Sequence, residues 1–167
     1  MTTLRPAFLA LFLALAAARR VLAANIDGVV NTVQPLIPPM RRRRRGQIAI
    51  MSSLAGFRGL PGSAAYCASK AAVRVYGEAL SAPLRRDGVT VSVICPGFVR
   101  TPMTAANPFR MPFLMDAAPA AAIIRRGLAR DRARIAFPLP LYLLCRLLAA
   151  LPQGLADKLL PVADDTL

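Results

Sequence analysis

The chain has 167 residues, long enough for one domain with a real core, and its 56% hydrophobic content excludes global disorder. It has no histidine, which removes Ser-His-Asp and Cys-His catalytic pairs and histidine metal ligands, so no metal site is expected. With 22 basic against 8 acidic residues, nucleic acid or an anionic membrane comes to mind as a partner. The arginines are scattered except for the run 41–45, however, and few aromatics accompany them, so nucleic acid is not expected.

The three cysteines, Cys67, Cys95 and Cys145, are widely spaced and form no CxxC pair. They read as ordinary thiols of a reducing, cytoplasmic setting.

In chain order, residues 6–18 (PAFLALFLALAAA) form an apolar run that is short for a membrane span. Arg19 and Arg20 stand between it and any cleavage point near Ala24, which favours a buried or interfacial helix over a secretory signal. Residues 26–37 are predicted helical and stopped by Pro38 and Pro39, and the following MRRRRRGQ reads as a solvated loop. QIAIMSS (47–53) is predicted to be a buried strand. Residues 63–86 form a long predicted helix that Pro83 should kink or end. VTVSVIC (89–95) is a second strand stopped by Pro96 and Gly97; residues 117–130 are helical, and ARIAF (133–137) is a third strand. Strands alternating with helices favour parallel βαβ units, an α/β fold in a single domain. The tail, PLPLYLLCRLLAALP (138–152), is strongly apolar and suits a cap over a substrate pocket or a helix lying flat in a membrane interface.

Within residues 62–71 (GSAAYCASKA), Tyr66 stands four positions before Lys70, one of only two lysines. On a helix these positions share a face, so the ammonium sits beside the phenol ring. A neighbouring positive charge favours a phenolate and makes a phenol a usable proton donor and acceptor. Taken singly, each residue has a plainer reading. Tyr66 and Lys70 would be a half-buried tyrosine beside a surface lysine. Ser53 would be a turn or helix cap, Asn25 an N-cap, and Pro96 with Gly97 a strand stop.

The pieces occur together and in order: NIDG (25–28), the Ser-Ser pair ending a strand, YCASK (66–70) and PGFVRT (96–101). From about residue 19 to about residue 104 the sequence resembles the second half of the short-chain dehydrogenase/reductase family. The resemblance implies a partial Rossmann-like, doubly wound parallel sheet of about three strands with flanking helices. It also implies an NAD- or NADP-dependent oxidoreductase that interconverts an alcohol and a ketone or aldehyde by hydride transfer. Tyr66 would pass the proton, with Lys70 supporting it and hydrogen-bonding the nicotinamide ribose. Ser53 would hydrogen-bond the substrate oxygen, and Asn25 would hold a water linking Lys70 to solvent. Tyr66, Lys70, Pro96, Gly97, Val99 and Thr101 would contact the cofactor, the last near the carboxamide or phosphates.

The helix containing Pro83 is the one such proteins commonly use for dimer packing, so a homo-oligomer is an expectation. The tail is similar to that of membrane-associated members acting on lipid-like or steroid-like compounds. This suggests a small apolar alcohol or carbonyl substrate and peripheral membrane association. The sequence contains no GxGxxG, TGxxxGxG or NNAG turn, and residues 1–18 match none of these pieces. The expected division is therefore an apolar segment (1–18), the second half of the family domain (19–137) and an apolar tail (138–167), with the first βαβαβ half missing. Two readings follow: an oxidoreductase, or a non-catalytic remnant without its cofactor-binding half that at most associates with a partner or membrane. Weak or no cofactor affinity is expected of this chain alone, as is an open edge on its innermost strand.

Overall fold

A long helical run leads into the first strand. The computed structural model describes residues 6–105, 107 and 110–160. The run comprises α1 (Pro6–Leu22), a π-helical turn (Ala23–Asp27), α2 (Gly28–Val33), a 3-10 turn (Gln34–Leu36) and α3 (Ile37–Arg42). Pro38 and Pro39 do not stop the helix as the sequence suggested; they open α3. The first N–H groups of a helix have no intrahelical acceptor, so proline costs little there.

Next come β1 (Gly46–Met51), α4 (Ala64–Arg86), β2 (Val89–Pro96), the short α5 (Pro102–Ala105) and α6 (Ala117–Leu128). β3 (Arg134–Phe137), α7 (Leu139–Ala150) and α8 (Gln153–Leu159) complete the order. Pro83 neither ends nor interrupts α4, which continues to Arg86. It lies in the last turn, where it forfeits its own bond to the carbonyl four residues back, and α4 ends three residues later.

The three strands form one parallel sheet in the order β1-β2-β3, with Gly46 opposite Val89 and Val93 opposite Arg134. Alternation along the strands separates two layers. On one face Ile48, Ile50, Val89 and Val91 pack with Val73 and Leu84 of α4 and with Val33 and Ile37 of the helical run. Toward the ends of β2 and β3 the same layer continues through Val93, Cys95 and Leu141 of α7. On the opposite face Ile94, Ile135 and Phe137 pack against Ala120 of α6. The architecture is thus α/β, with helices on both faces of a parallel sheet.

β1 is less buried than its composition predicted: Ile48 and Ile50 are buried, while Gln47, Ala49 and Met51 are exposed. The cluster built on α6 covers β2 and β3 but not β1, and β1, like β3, is an edge of the described sheet. Among the described residues no helix is long and apolar enough to cross a membrane.

Cys95 sits at the centre of this packing, with no exposed surface. Burial pushes its thiol up from 9.0 to about 11, against smaller opposing effects from Arg134, Ser52 and Arg74. Because the folded value lies above the unfolded one, the stability Cys95 contributes is complete below pH 9 and is lost between pH 9 and about 11. The loss should reach roughly 3 kcal/mol at about 1.4 kcal/mol per unit. Lys70, whose ammonium burial pushes down, contributes with the opposite sign. Urea titrations of the native chain and Cys95→Ala across this range should therefore diverge, the native chain losing more stability. Parallel curves would contradict the assignment.

Candidate active site

The site forms where the chain leaves the carboxyl ends of β1 and β2. Ser52 extends the pairing, its N–H donating to the Ile94 carbonyl at 2.8 Å, while its Oγ donates to the Lys70 carbonyl at 2.8 Å. Ser53 is extended (φ −162°, ψ 160°), and its Oγ accepts from the Ala55 N–H at 3.1 Å, capping the 3-10 turn Leu54–Gly56. The Ser53 hydroxyl also faces the Pro96 carbonyl at 3.5 Å, a marginal bond. Gly56 lets this turn lie directly on α4, since a Cβ there would stand 2.8 Å from the carbonyl carbon and oxygen of Lys70.

α4 begins at Ala64, which places Tyr66 in its first turn and Lys70 one turn further on. The Lys70 Nζ lies 5.7 Å from the centre of the Tyr66 ring and donates to the Met51 carbonyl at 3.3 Å. Burial pushes the Lys70 ammonium down from its ordinary value, making the charge easier to lose than that of a free lysine.

Asn25 lies in the π-helical turn between α1 and α2. Its Nδ2 donates to Ser69 Oγ at 2.9 Å, and Ser69 Oγ donates to the Tyr66 carbonyl at 2.7 Å. The Asn25 side chain is thus tied to the turn that carries Tyr66. Ser69 is fully buried. Ser69→Ala leaves the Asn25 amide without this acceptor, and a loss of about 1–3 kcal/mol is expected in chemical denaturation. A loss within a few tenths would show that the link carries no weight.

The loop after β2 carries the remaining candidates. The Gly97 N–H donates to the Phe137 carbonyl at 2.7 Å, and a Cβ on Gly97 would press on Leu141 and Pro138, so α7 lies against this glycine. Val99 bridges to Met115, and the Thr101 N–H donates to Thr104 Oγ1 at 2.9 Å just before α5. The structure therefore brings Ser53, Tyr66, Lys70 and Pro96 together at the strand ends. Val99 and Thr101 continue along the departing loop.

Sequence reasoning saw Ser52 only as part of the Ser-Ser pair, and it missed Ser69 and a charged cluster behind the site. Glu78 accepts from Arg74 at 3.0 Å and from Arg134 at 2.6 Å. Arg74 also donates to the Gly56 carbonyl, and Arg134 to the Tyr142 hydroxyl. Phe57 stacks against Arg74 (4.7 Å) and meets Tyr142 edge-on at 5.5 Å. Burial pushes the Tyr142 phenol up, but hydrogen bonds and charge from Arg134 and Arg146 outweigh it, so the net shift is downward. The cluster fastens the loop carrying Ser53 to α4, β3 and α7. Only the Arg74–Glu78 spacing, i and i+4 on a helix, was visible in the sequence.

Comparison with known proteins gives the family of the chain. A family model described as short chain dehydrogenase matches residues 6–110. An uncharacterized oxidoreductase of Myxococcus xanthus is 42% identical over 139 residues, covering 83% of this chain and 55% of the relative. A short chain dehydrogenase of Burkholderia cenocepacia, solved in complex with NADP, is 26% identical at a TM-score of 0.73, covering 87% of this chain and 60% of that one. A short-chain dehydrogenase of Sphingobium yanoikuyae, solved with NADPH, shares the fold at a TM-score of 0.70 and 22% identity, covering 88% of this chain and 59% of that one. The chain thus spans a little over half the length of these proteins. It belongs to the short-chain dehydrogenase family of oxidoreductases.

Proposed function

We propose that this chain carries the catalytic half of an NAD(P)-dependent oxidoreductase that interconverts an alcohol and a ketone or aldehyde, with Tyr66 as acid and base. The observation that carries the reading is the half-buried Lys70 ammonium, 5.7 Å from the Tyr66 ring and bonded to the Met51 carbonyl, at the carboxyl ends of β1 and β2. In open α/β sheets, ligands bind in the crevice outside those ends.

The residues fit the nicotinamide end of the cofactor. Lys70 uses one hydrogen-bond donation on Met51 and keeps others for a ribose hydroxyl, and the backbone of Pro96, Gly97 and Val99 borders the same end of the sheet. The sequence has no Gly-rich turn for the pyrophosphate. The NADP and NADPH complexes of the two solved relatives support the cofactor class. When bound, NAD(P) supplies or accepts the hydride.

The protein's own groups handle the proton. In reduction the Tyr66 hydroxyl gives its proton to the substrate oxygen, and in oxidation it takes that proton back. The Lys70 charge stabilises the phenolate left behind. The capping bond of Ser53 serves this chemistry. Because Oγ accepts from the Ala55 N–H, its own proton is held only by the marginal contact with Pro96 and is available to the substrate oxygen. Cap and catalytic roles therefore coincide in one hydroxyl. Asn25 acts through Ser69 as a positioning residue for the turn of Tyr66. A small apolar substrate suits the setting, with α7 and its exposed Leu139, Leu143 and Leu147 flanking the end of β3.

The test is carbonyl-dependent oxidation of NADH and NADPH, assayed with aliphatic and cyclic ketones. The protein is a fusion of residues 19–160 behind the first half of the Myxococcus xanthus oxidoreductase. Turnover that depends on Tyr66 supports the reading. A folded, cofactor-binding fusion without turnover on any of these ketones or their alcohols would overturn it.

A further inference from the structure

The end of the sheet opposite the candidate active site is rich in arginine. Each strand is reached through a basic turn: the run 41–45 before β1, Arg85 and Arg86 before β2, and Arg130 and Arg132 before β3, with Arg125 and Arg126 in the last turn of α6. All of these are exposed. Eleven of the twenty arginines thus gather at one end, against Asp87 and Asp131.

The turns are held together. Gly46 pairs with Val89, Arg44 donates to the Arg86 carbonyl at 2.8 Å, and Gln47 reaches across β2 to the Leu128 carbonyl (2.8 Å) and Asp131 (3.0 Å). Between α6 and β3 the end opens into a shallow cavity of about 210 Å³, whose lining includes Arg126, Arg130, Arg132 and Arg134.

Compensation of helix dipoles accounts for only part of this charge. α3, α4 and α6 all end here, and each carboxyl terminus carries about half a negative charge. Asp87 is already paired with Arg41, and Asp131, which accepts from Gln47, offsets one further charge. Most of the positive charge remains unmatched.

We propose that this arginine end is a docking surface for an anionic lipid bilayer. The turns contain no aromatic residue on which a base could stack, and helices end here rather than lie along the surface as a groove reader would. An array of exposed guanidiniums needs only phosphate headgroups opposite it, and attraction grows with every arginine near the membrane surface. The orientation follows from α4. Tyr66 lies twenty residues before Arg86, about 30 Å along the helix, so the docked protein turns its candidate active site toward the aqueous phase. This goes beyond the proposed reaction and does not depend on it.

The experiment is co-sedimentation of the full chain with phosphatidylcholine vesicles, with and without phosphatidylglycerol, at low and high salt. Arg42, Arg45 and Arg85 are changed to Glu together, leaving Arg41 and Arg44 to hold the turns. A control of equal charge changes Arg19, Arg20 and Arg110 to Glu. The native chain should bind only the anionic vesicles, and high salt should release it. The first variant should bind at least about 100-fold more weakly, while the control should change only about 5-fold. If the glutamate variant does not fold by circular dichroism, the same positions changed to Gln should still weaken binding by about 100-fold. Equal losses in the two sets would overturn the proposal. So would tighter binding to duplex DNA than to vesicles at matched salt, or loss of vesicle binding on Leu143→Ser with Leu147→Ser while the arginine variant still binds.

Discussion

Tyr66→Phe is expected to lower turnover of the completed enzyme by about 10²–10⁴-fold while leaving its fold unchanged. The substitution removes one hydroxyl from a half-buried ring in the first turn of α4 and keeps the ring that Lys70 faces at 5.7 Å. The backbone links also survive, because Ser69 bonds the Tyr66 carbonyl and not its side chain. Cofactor affinity should hold within a few-fold, since Lys70 remains, so the loss should appear in kcat. A large loss of thermal stability instead would make the hydroxyl structural.

The second large effect is expected at Gly88, far from the chemistry. Gly88 has φ +76°, and a Cβ there would press on the backbone carbonyl of Arg44. Arg44 is itself left-handed at φ 51°, and its guanidinium is tied to the Arg86 carbonyl. Both segments turn here just before the pairing of Gly46 with Val89, so neither backbone can yield without moving a strand. Left-handed backbone costs alanine about 1 kcal/mol, and displacing a paired strand start adds more. Gly88→Ala should therefore lose about 3–5 kcal/mol, a large part of the stability of a small domain. Urea titration measures it; a loss below about 1 kcal/mol would show that the turn relaxes.

The strands and long helices were legible in the sequence because their signals are local. QIAIM and VTVSVIC are β-branched runs bounded by turn residues, and ARIAF has the same character. Proline misled at both ends: Pro38 and Pro39 open a helix, and Pro83 sits within the last turn of one. The helix boundary, which propensity does not give, decides what a proline does.

The order and spacing of the motifs brought Ser53, Tyr66 and Lys70 into view, and the fold places them at one end of the sheet. The partners of these residues were not legible. Ser69 is an ordinary small residue on a helix, and only the π-helical turn across from it makes it the acceptor for Asn25. Arg134 reaches both Glu78 of α4 and the Tyr142 hydroxyl of α7 from the start of β3, a tertiary event with no local signature. The arginine end is a similar case. Its three turns are scattered in sequence and become one surface only in a parallel sheet.

The most direct test of the catalytic reading follows the hydride. With NADPH deuterated at the transferring position and a ketone that the completed enzyme reduces, mass spectrometry of the product alcohol reports whether the label reaches the carbinol carbon. Labelled alcohol should form with the native sequence and at least about 100-fold more slowly with Tyr66→Phe, although that variant still binds NADPH. Equal labelling by both proteins would contradict the account, because the proton would then reach the substrate oxygen without Tyr66.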